Sequence, residues 1–190
     1  MTVDVIRTAH PEATVEIWFQ DEARIGLVPI LRRVWAKRGS RLMAVGRRRY
    51  EWVYVYGFVR PSTGDVEWLI LPTVNVDVFE MSLQYLAQSQ NLGPNKRLVL
   101  FLDGAGWHKS KKLNVPEGIH LEFLPPYSPE LQPAERLWPL LRECVANMLI
   151  EEIDVLEELL VKRCQTLRKS PEIIREHTKF HWISDDRVAA

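Results

Sequence analysis

The run KRLVLFLDGAG (96–106) constrains this chain more than any other stretch. From Leu98 to Leu102 every residue is large and apolar, with no polar alternation. A strand of that kind is covered on both faces, which calls for a sheet with helices packed over it. The run stops at Asp103 and passes into Gly104, Ala105 and Gly106. The strand therefore delivers a carboxylate at its C-terminal end, the edge where α/β sheets place their ligands.

The remaining pattern agrees with an α/β fold. TVEIWFQ (14–20) is β-rich and is predicted to end at Asp21-Glu22. EWVYVYGFV (51–59) and VEWLILPTV (66–74) read as a hairpin about the turn signal RPSTGD. VDVFEMSLQYLAQSQ (76–90) carries Phe79, Leu83 and Leu86 at helical spacing, with Val76 and Met81 near the same face. IHLEFL (119–124) is another strand, and a short one is expected around Val34-Trp35. Helices are predicted over about 133–149 and about 153–168, with a shorter one after Pro171. The order predicts a mixed five-stranded sheet flanked by helices. Right-handed crossovers allow the fourth long strand to lie beside the first. With 190 residues, no internal repeat and no low-complexity linker, the chain reads as one domain spanning 1–190.

Composition excludes some classes. Two cysteines, Cys144 and Cys164, are too few for a disulfide framework and fit a reducing compartment. No apolar run reaches about 18 residues, and the N-terminus has no secretory core, so the expected location is the cytoplasm. Net charge is zero, but it is segregated. From Ala23 to Tyr50 there is no acid, only nine bases: Arg24, Arg32, Arg33, Lys37, Arg38, Arg41, Arg47, Arg48 and Arg49. EEIDVLEELL (151–160) has five acids and no base. Residues 22–49 thus read as a basic insertion and 150–190 as C-terminal helices. A basic segment suits phosphate contact or an acidic partner surface; the alternative is a solvated face.

Two strands are expected to end in an acid, Asp21 and Asp103. A third carboxylate follows in PPYSPELQPAERLW (125–138), where Pro125, Pro126, Pro129 and Pro133 stiffen the approach to a helix that begins with Glu135. Glu135 alone could simply favour the positive helix start or form half a capping box. Taken with Asp21 and Asp103, it completes a carboxylate set at a strand edge. Such a set needs a cation, and hard ions such as Mg²⁺ or Mn²⁺ take oxygen ligands. Two such ions about 4 Å apart support phosphoryl transfer.

FQDEARIGL (19–27), RRVWAKRGSR (32–41), LVLFLDGAGWHKS (98–110) and PPYSPELQPAERLW (125–138) together resemble the catalytic domain of DDE transposases of the mariner superfamily, in their bacterial insertion-sequence branch. The motifs stand in the family's order, and the interval between Asp103 and Glu135 is close to the family's usual one. The resemblance implies an RNase H-like fold, with Asp21, Asp103 and Glu135 as catalytic residues and ligands of two Mg²⁺ ions, for which Mn²⁺ substitutes. It implies that metal-activated water cuts a transposon end and that the freed 3′-OH attacks target DNA. It further implies a homodimer in which residues 22–49 clamp the partner, and association with the nucleoid.

The expected DNA contacts are Arg32, Arg33, Lys37, Arg38, Arg47, Arg48, Arg49, His108 and Lys109, with Lys111 and Lys112 as further phosphate ligands. His108 either touches the scissile phosphate, orients a ligand or packs in its loop. Trp35 and Trp107 are expected to pack rather than stack on bases. Glu22 is expected on the face opposite Asp21, in a structural or supporting role. This chain departs from the family at Gly104 and Gln132, where Asn is common. Pro139 would remove the helix bond to the Glu135 carbonyl. Relatives carry a helix-turn-helix that reads transposon ends, yet only about 14 residues precede the first predicted strand here. A separate helix-turn-helix partner, a truncated relic or a fragment are the alternatives. Two other readings of function stay open: an inactive DNA-binding or assembly module that kept the fold, and an unrelated two-carboxylate hydrolase acting, for example, on glycosides.

Overall fold

A computed structural model describes residues 2–33, 35, 37–39, 49–126, 128–180, 183–184 and 187–188. Val34, Arg41, Arg47 and Arg48, and with them the expected short strand, lie outside the described residues.

The central sheet is built from β1 (Thr14–Gly26), β2 (Trp52–Arg60), β3 (Asp65–Leu71), β4 (Lys96–Leu102) and β5 (Ile119–Phe123). Their spatial order is β3-β2-β1-β4-β5. The β1–β2 and β2–β3 pairs are antiparallel, while β1–β4 and β4–β5 are parallel. The sheet is mixed and five-stranded, and β4 lies beside β1 as the crossover argument required.

Alternation along the strands sorts side chains into two cores. On one face, Val15, Ile17 and Phe19 of β1, Val99 and Phe101 of β4, and Val53, Val55 and Val59 of β2 pack together. Helices α1 (Thr2–Ala9), α3 (Leu137–Arg142), α4 (Ile153–Arg168) and α5 (Pro171–Thr178) bury Val3, Ile6, Leu137, Trp138, Leu156, Leu160 and Ile174 in this core. On the other face, Trp18, Tyr56, Phe58, Leu98, Leu100 and Leu102 meet α2 (Val76–Ser89) through Phe79, Leu83 and Leu86. The unbroken apolar run of β4 is thus explained: Leu98, Leu100 and Leu102 face one core, Val99 and Phe101 the other.

Two expectations are corrected. β1 does not end at Asp21. It runs on to Gly26, because its antiparallel pairing with β2 continues from Phe19↔Val59 to Gly26↔Trp52. Its parallel pairing with β4 stops at Phe19↔Phe101. Asp21 is therefore mid-strand, just where the β4 side of β1 opens.

The helix expected over 133–149 is also broken up. Two 3₁₀ turns, Pro129–Leu131 and Pro133–Arg136, precede the six-residue α3, and a third, Glu143–Val145, follows it. Pro139 has no N–H for the Glu135 carbonyl, so an α-turn cannot close there. The chain takes the tighter i→i+3 turn instead, and Leu137 N–H bonds to the Ala134 carbonyl. Pro139 then sits in the first turn of α3, where its missing donor is harmless.

Candidate active site

The odd-numbered residues of β1 face the core that contains α3, so Asp21 faces that side too. Asp103 follows β4 directly. In register it falls level with Asp21, two residues past the last pair, Phe19↔Phe101. Glu135 arrives on the 3₁₀ turn Pro133–Arg136. Asp21, Asp103 and Glu135 all line one pocket of about 360 Å³. Pro125, Pro126 and Pro129 form part of its wall, so the proline lead-in shapes the cleft as well as aiming Glu135. Among the described residues, no three acid, histidine or cysteine side chains gather closely enough to ligate one ion.

Gln132 ties the Glu135 turn to β1. Its amide Nε2 donates to the Gln20 carbonyl at 2.9 Å, and its Oε1 accepts from the Ala134 N–H at 3.4 Å. One buried side chain thus caps the turn and fastens it next to Asp21.

Each aspartate is held by a ring N–H. The Trp138 indole Nε1 donates to Asp21 Oδ2 at 2.7 Å. Burial drives the Asp21 pKa up from 3.8 to about 7; the Trp138 bond opposes this, and the Glu22 and Glu135 carboxylates add to it. For Asp103, His108 Nδ1 donates to Oδ1 at 2.8 Å and the Ala105 N–H at 3.0 Å. The His108 bond is the main reason Asp103 stays below the usual carboxylate range, against burial.

The other nitrogen of His108, Nε2, lies 3.0 Å from Glu22 Oε1. Burial lowers the His108 pKa, but the bonds to Asp103 and Glu22 outweigh it and push it up to about 9. The ring is then doubly protonated at neutral pH and donates to both acids. The Trp107 indole N–H points into the same pair, 3.0 Å from His108 Nε2 and 3.3 Å from Glu22 Oε1. Glu22 does face away from Asp21, as expected, and supports Asp103 through His108. Trp107 packs, also as expected, against the α2-side core.

The expectation that His108 contacts DNA is corrected. Its side chain is fully buried between Glu22, Asp103 and the Phe79 ring, so no phosphate reaches it.

Lys109 does reach the pocket. It is the one cation among the described residues that line it. A Cβ on Gly104 would stand 2.7 Å from Lys109 Nζ, so the missing side chain leaves room for the ammonium. Arg32 is exposed but held against the protein: it bonds the Pro139 carbonyl at 3.1 Å and approaches Glu143 at 3.6 Å. Arg49 bonds the Glu151 carbonyl at 2.7 Å. Arg33, Lys37, Arg38 and Trp35 are exposed, which corrects the packing expected of Trp35. The sequence did not point to Trp138 or Gly57 at this site, because no local pattern links them to Asp21.

Among curated proteins, an uncharacterised protein, y4pE/y4sA, of Sinorhizobium fredii (strain NBRC 101917 / NGR234) is 38% identical over 104 residues, 54% of this chain and 76% of that one. Among solved structures, the Mos1 strand transfer complex matches 94% of this chain and 60% of its own at 18% identity, with a TM-score of 0.52. The Mos1 mariner paired end complex with Mn matches 94% and 61% at 17% identity, with a TM-score of 0.54. A simian T-cell lymphotropic virus intasome chain matches 82% and 49% at 12% identity, with a TM-score of 0.53. At these identities the likeness is one of fold, and the fold is RNase H-like. The chain spans about 60% of the length of the Mos1 chains it matches. The family described as DDE superfamily endonuclease matches residues 16–157, a span that contains Asp21, Asp103 and Glu135. The chain belongs to the DDE superfamily endonuclease family.

Proposed function

We propose that this chain is the catalytic domain of a transposase, cleaving DNA and transferring strands by divalent-metal-dependent phosphoryl transfer. The observation that carries the reading is the convergence of Asp21, Asp103 and Glu135 on one pocket at the open edge of the β1–β4 pair.

The residues fit Mg²⁺ or Mn²⁺. Their donors are carboxylate oxygens, and burial first, with the Glu22 and Glu135 carboxylates adding to it, raises the Asp21 pKa, so a cation here would offset a charge that the site by itself disfavours. Asp21, Asp103 and Glu135 are the residues that would hold the ions. When bound, such a pair activates an attacking oxygen and stabilises the leaving one in an in-line displacement.

The protein's own part is positioning and charge. His108 fixes the rotation of Asp103, and Gln132 fixes the Glu135 turn against β1. Lys109 offers an ammonium to a phosphate in the pocket. Arg33, Lys37 and Arg38 supply an exposed basic surface for the duplex. The part of residues 22–49 that follows β1 serves in addition as the clamp of a homodimer, and transposon ends are read by a helix-turn-helix segment or partner.

The test is nicking of supercoiled plasmid in Mn²⁺ and in Mg²⁺. Asp21→Asn, Asp103→Asn and Glu135→Gln should each abolish nicking while leaving the fold intact, and EDTA should do the same. Nicking that survives in any one variant removes that residue from the set. DNA binding without cleavage in either metal would favour the inactive-module reading.

A further inference from the structure

Gly57 lies opposite Asp21 in the β1–β2 register, with Trp68 opposite Gly57 on β3. A Cβ on Gly57 would stand 3.0 Å from Leu137 Cδ1, 3.0 Å from Trp138 Cη2 and 3.4 Å from Trp68 Cζ3. The missing side chain is therefore a slot in the sheet surface, and the Trp138 indole fills it. One side of the indole meets the Trp68 ring, at a centroid distance of 6.2 Å and an interplanar angle of 61°. Its far end brings Nε1 to Asp21 Oδ2. Trp138 is buried at 6% exposure, and it lies three residues after Glu135, in the α3 helix that follows the Glu135 turn directly.

From this geometry we infer that Trp138 is a positioning residue for Asp21. Seated in the Gly57 slot, its indole N–H fixes the rotation of the Asp21 carboxylate toward the divalent cation and couples it to the turn that carries Glu135. The inference rests on the metal-dependent reading proposed above. The physical reason is general. A carboxylate ligand is free to rotate about its last bond, and a rigid donor on one oxygen holds it in the ligating orientation before the ion arrives. An indole packed against both Gly57 and Trp68 has little room to turn, and its bond to the carboxylate is short, 2.7 Å.

Two measurements on the intact chain test this. The first is Mn²⁺ binding to wild type, Trp138→Phe and Asp103→Asn, read by electron paramagnetic resonance of the free ion. Trp138→Phe keeps a ring in the slot and deletes the donor, and should weaken binding about 10- to 100-fold. Equal binding by wild type and Trp138→Phe overturns the inference alone. No binding by wild type overturns the metal reading together with it.

The second measurement follows the indole N–H resonances on addition of Mg²⁺, with the Trp138 signal assigned by its loss in Trp138→Phe or by its displacement in Asp21→Asn. The Trp138 resonance should move on Mg²⁺ addition in wild type and stay still in Asp21→Asn. The Trp18 resonance, bonded to Glu16 at 3.0 Å on the opposite face of the sheet, should stay still in both. The absence of any indole N–H resonance that both moves on Mg²⁺ addition and is displaced by Asp21→Asn would refute the inference even if Trp138→Phe failed to fold.

Discussion

Asp21→Asn should make the metal-free protein more stable, by an amount that grows with pH. The Asp21 pKa is raised from 3.8 to about 7, mainly by burial. Because the folded value lies above the unfolded one, the native state holds the extra proton between those two pH values. Stability therefore falls as pH rises through that window, and the whole penalty is present above about pH 7. A shift of about three units corresponds to about 4 kcal/mol as a ceiling. Water at the pocket mouth screens part of it, so the expected gain is about 1–3 kcal/mol at pH 8, falling to near zero at about pH 4. Asparagine keeps an oxygen for the Trp138 N–H, so the hydrogen bond does not obscure the comparison. Melting curves in EDTA at several pH values provide the assay, each kcal/mol moving Tm by about 2–4 °C in a chain of this size. Mg²⁺ at about 100 times its Kd should add about 2.7 kcal/mol to wild type and little to the variant. An Asp21→Asn protein that is less stable than wild type by the same amount at every pH would refute the reasoning.

His108→Leu should destabilise by about 3–5 kcal/mol, because it strands Glu22 without its buried cation. The His108 value is raised to about 9, so its contribution is complete below 6.5 and is lost as pH climbs through 9; denaturation of both proteins at pH 7 and pH 10 checks that the gap narrows. Gln132→Ala removes both the cap on Ala134 and the tie to Gln20, and should cost about 1–2 kcal/mol in urea titrations. Gln132→Asn should recover the cap alone and regain only part of that. Gly57→Ala drives a methyl into Leu137 and Trp138 and should cost about 1–3 kcal/mol, with a change in tryptophan emission that reports the displaced indole.

Much of the fold was legible because it is periodic. The continuous run Leu98–Leu102 called for two covering layers, and α2 on one side with α3, α4 and α5 on the other provide them. Asp21, Asp103 and Glu135 were singled out as candidates by strand-edge acids, the proline lead-in and the family resemblance, and the structure puts all three on one pocket. The end of β1 was misjudged, since polar Asp21-Glu22 resembles a strand terminus and only the β2 pairing carries the strand onward. The helix expected over 133–149 was misjudged because its apolar spacing is helical, while Pro139 and Pro133 impose tighter turns that spacing does not report.

Local chemistry thus determined most of the strands and helices and singled out the three carboxylates. What only the tertiary structure decided is how those carboxylates are held. The Trp138–Asp21 bond joins residues 117 apart, and the His108–Glu22 bond joins residues 86 apart. No period of two or of 3.6 reaches that far. Such contacts exist only after the register of β1 with β2 and β4 is set. That register puts Gly57 opposite Asp21, leaves a slot where a side chain would have been, and lets one indole reach from α3 to the acid.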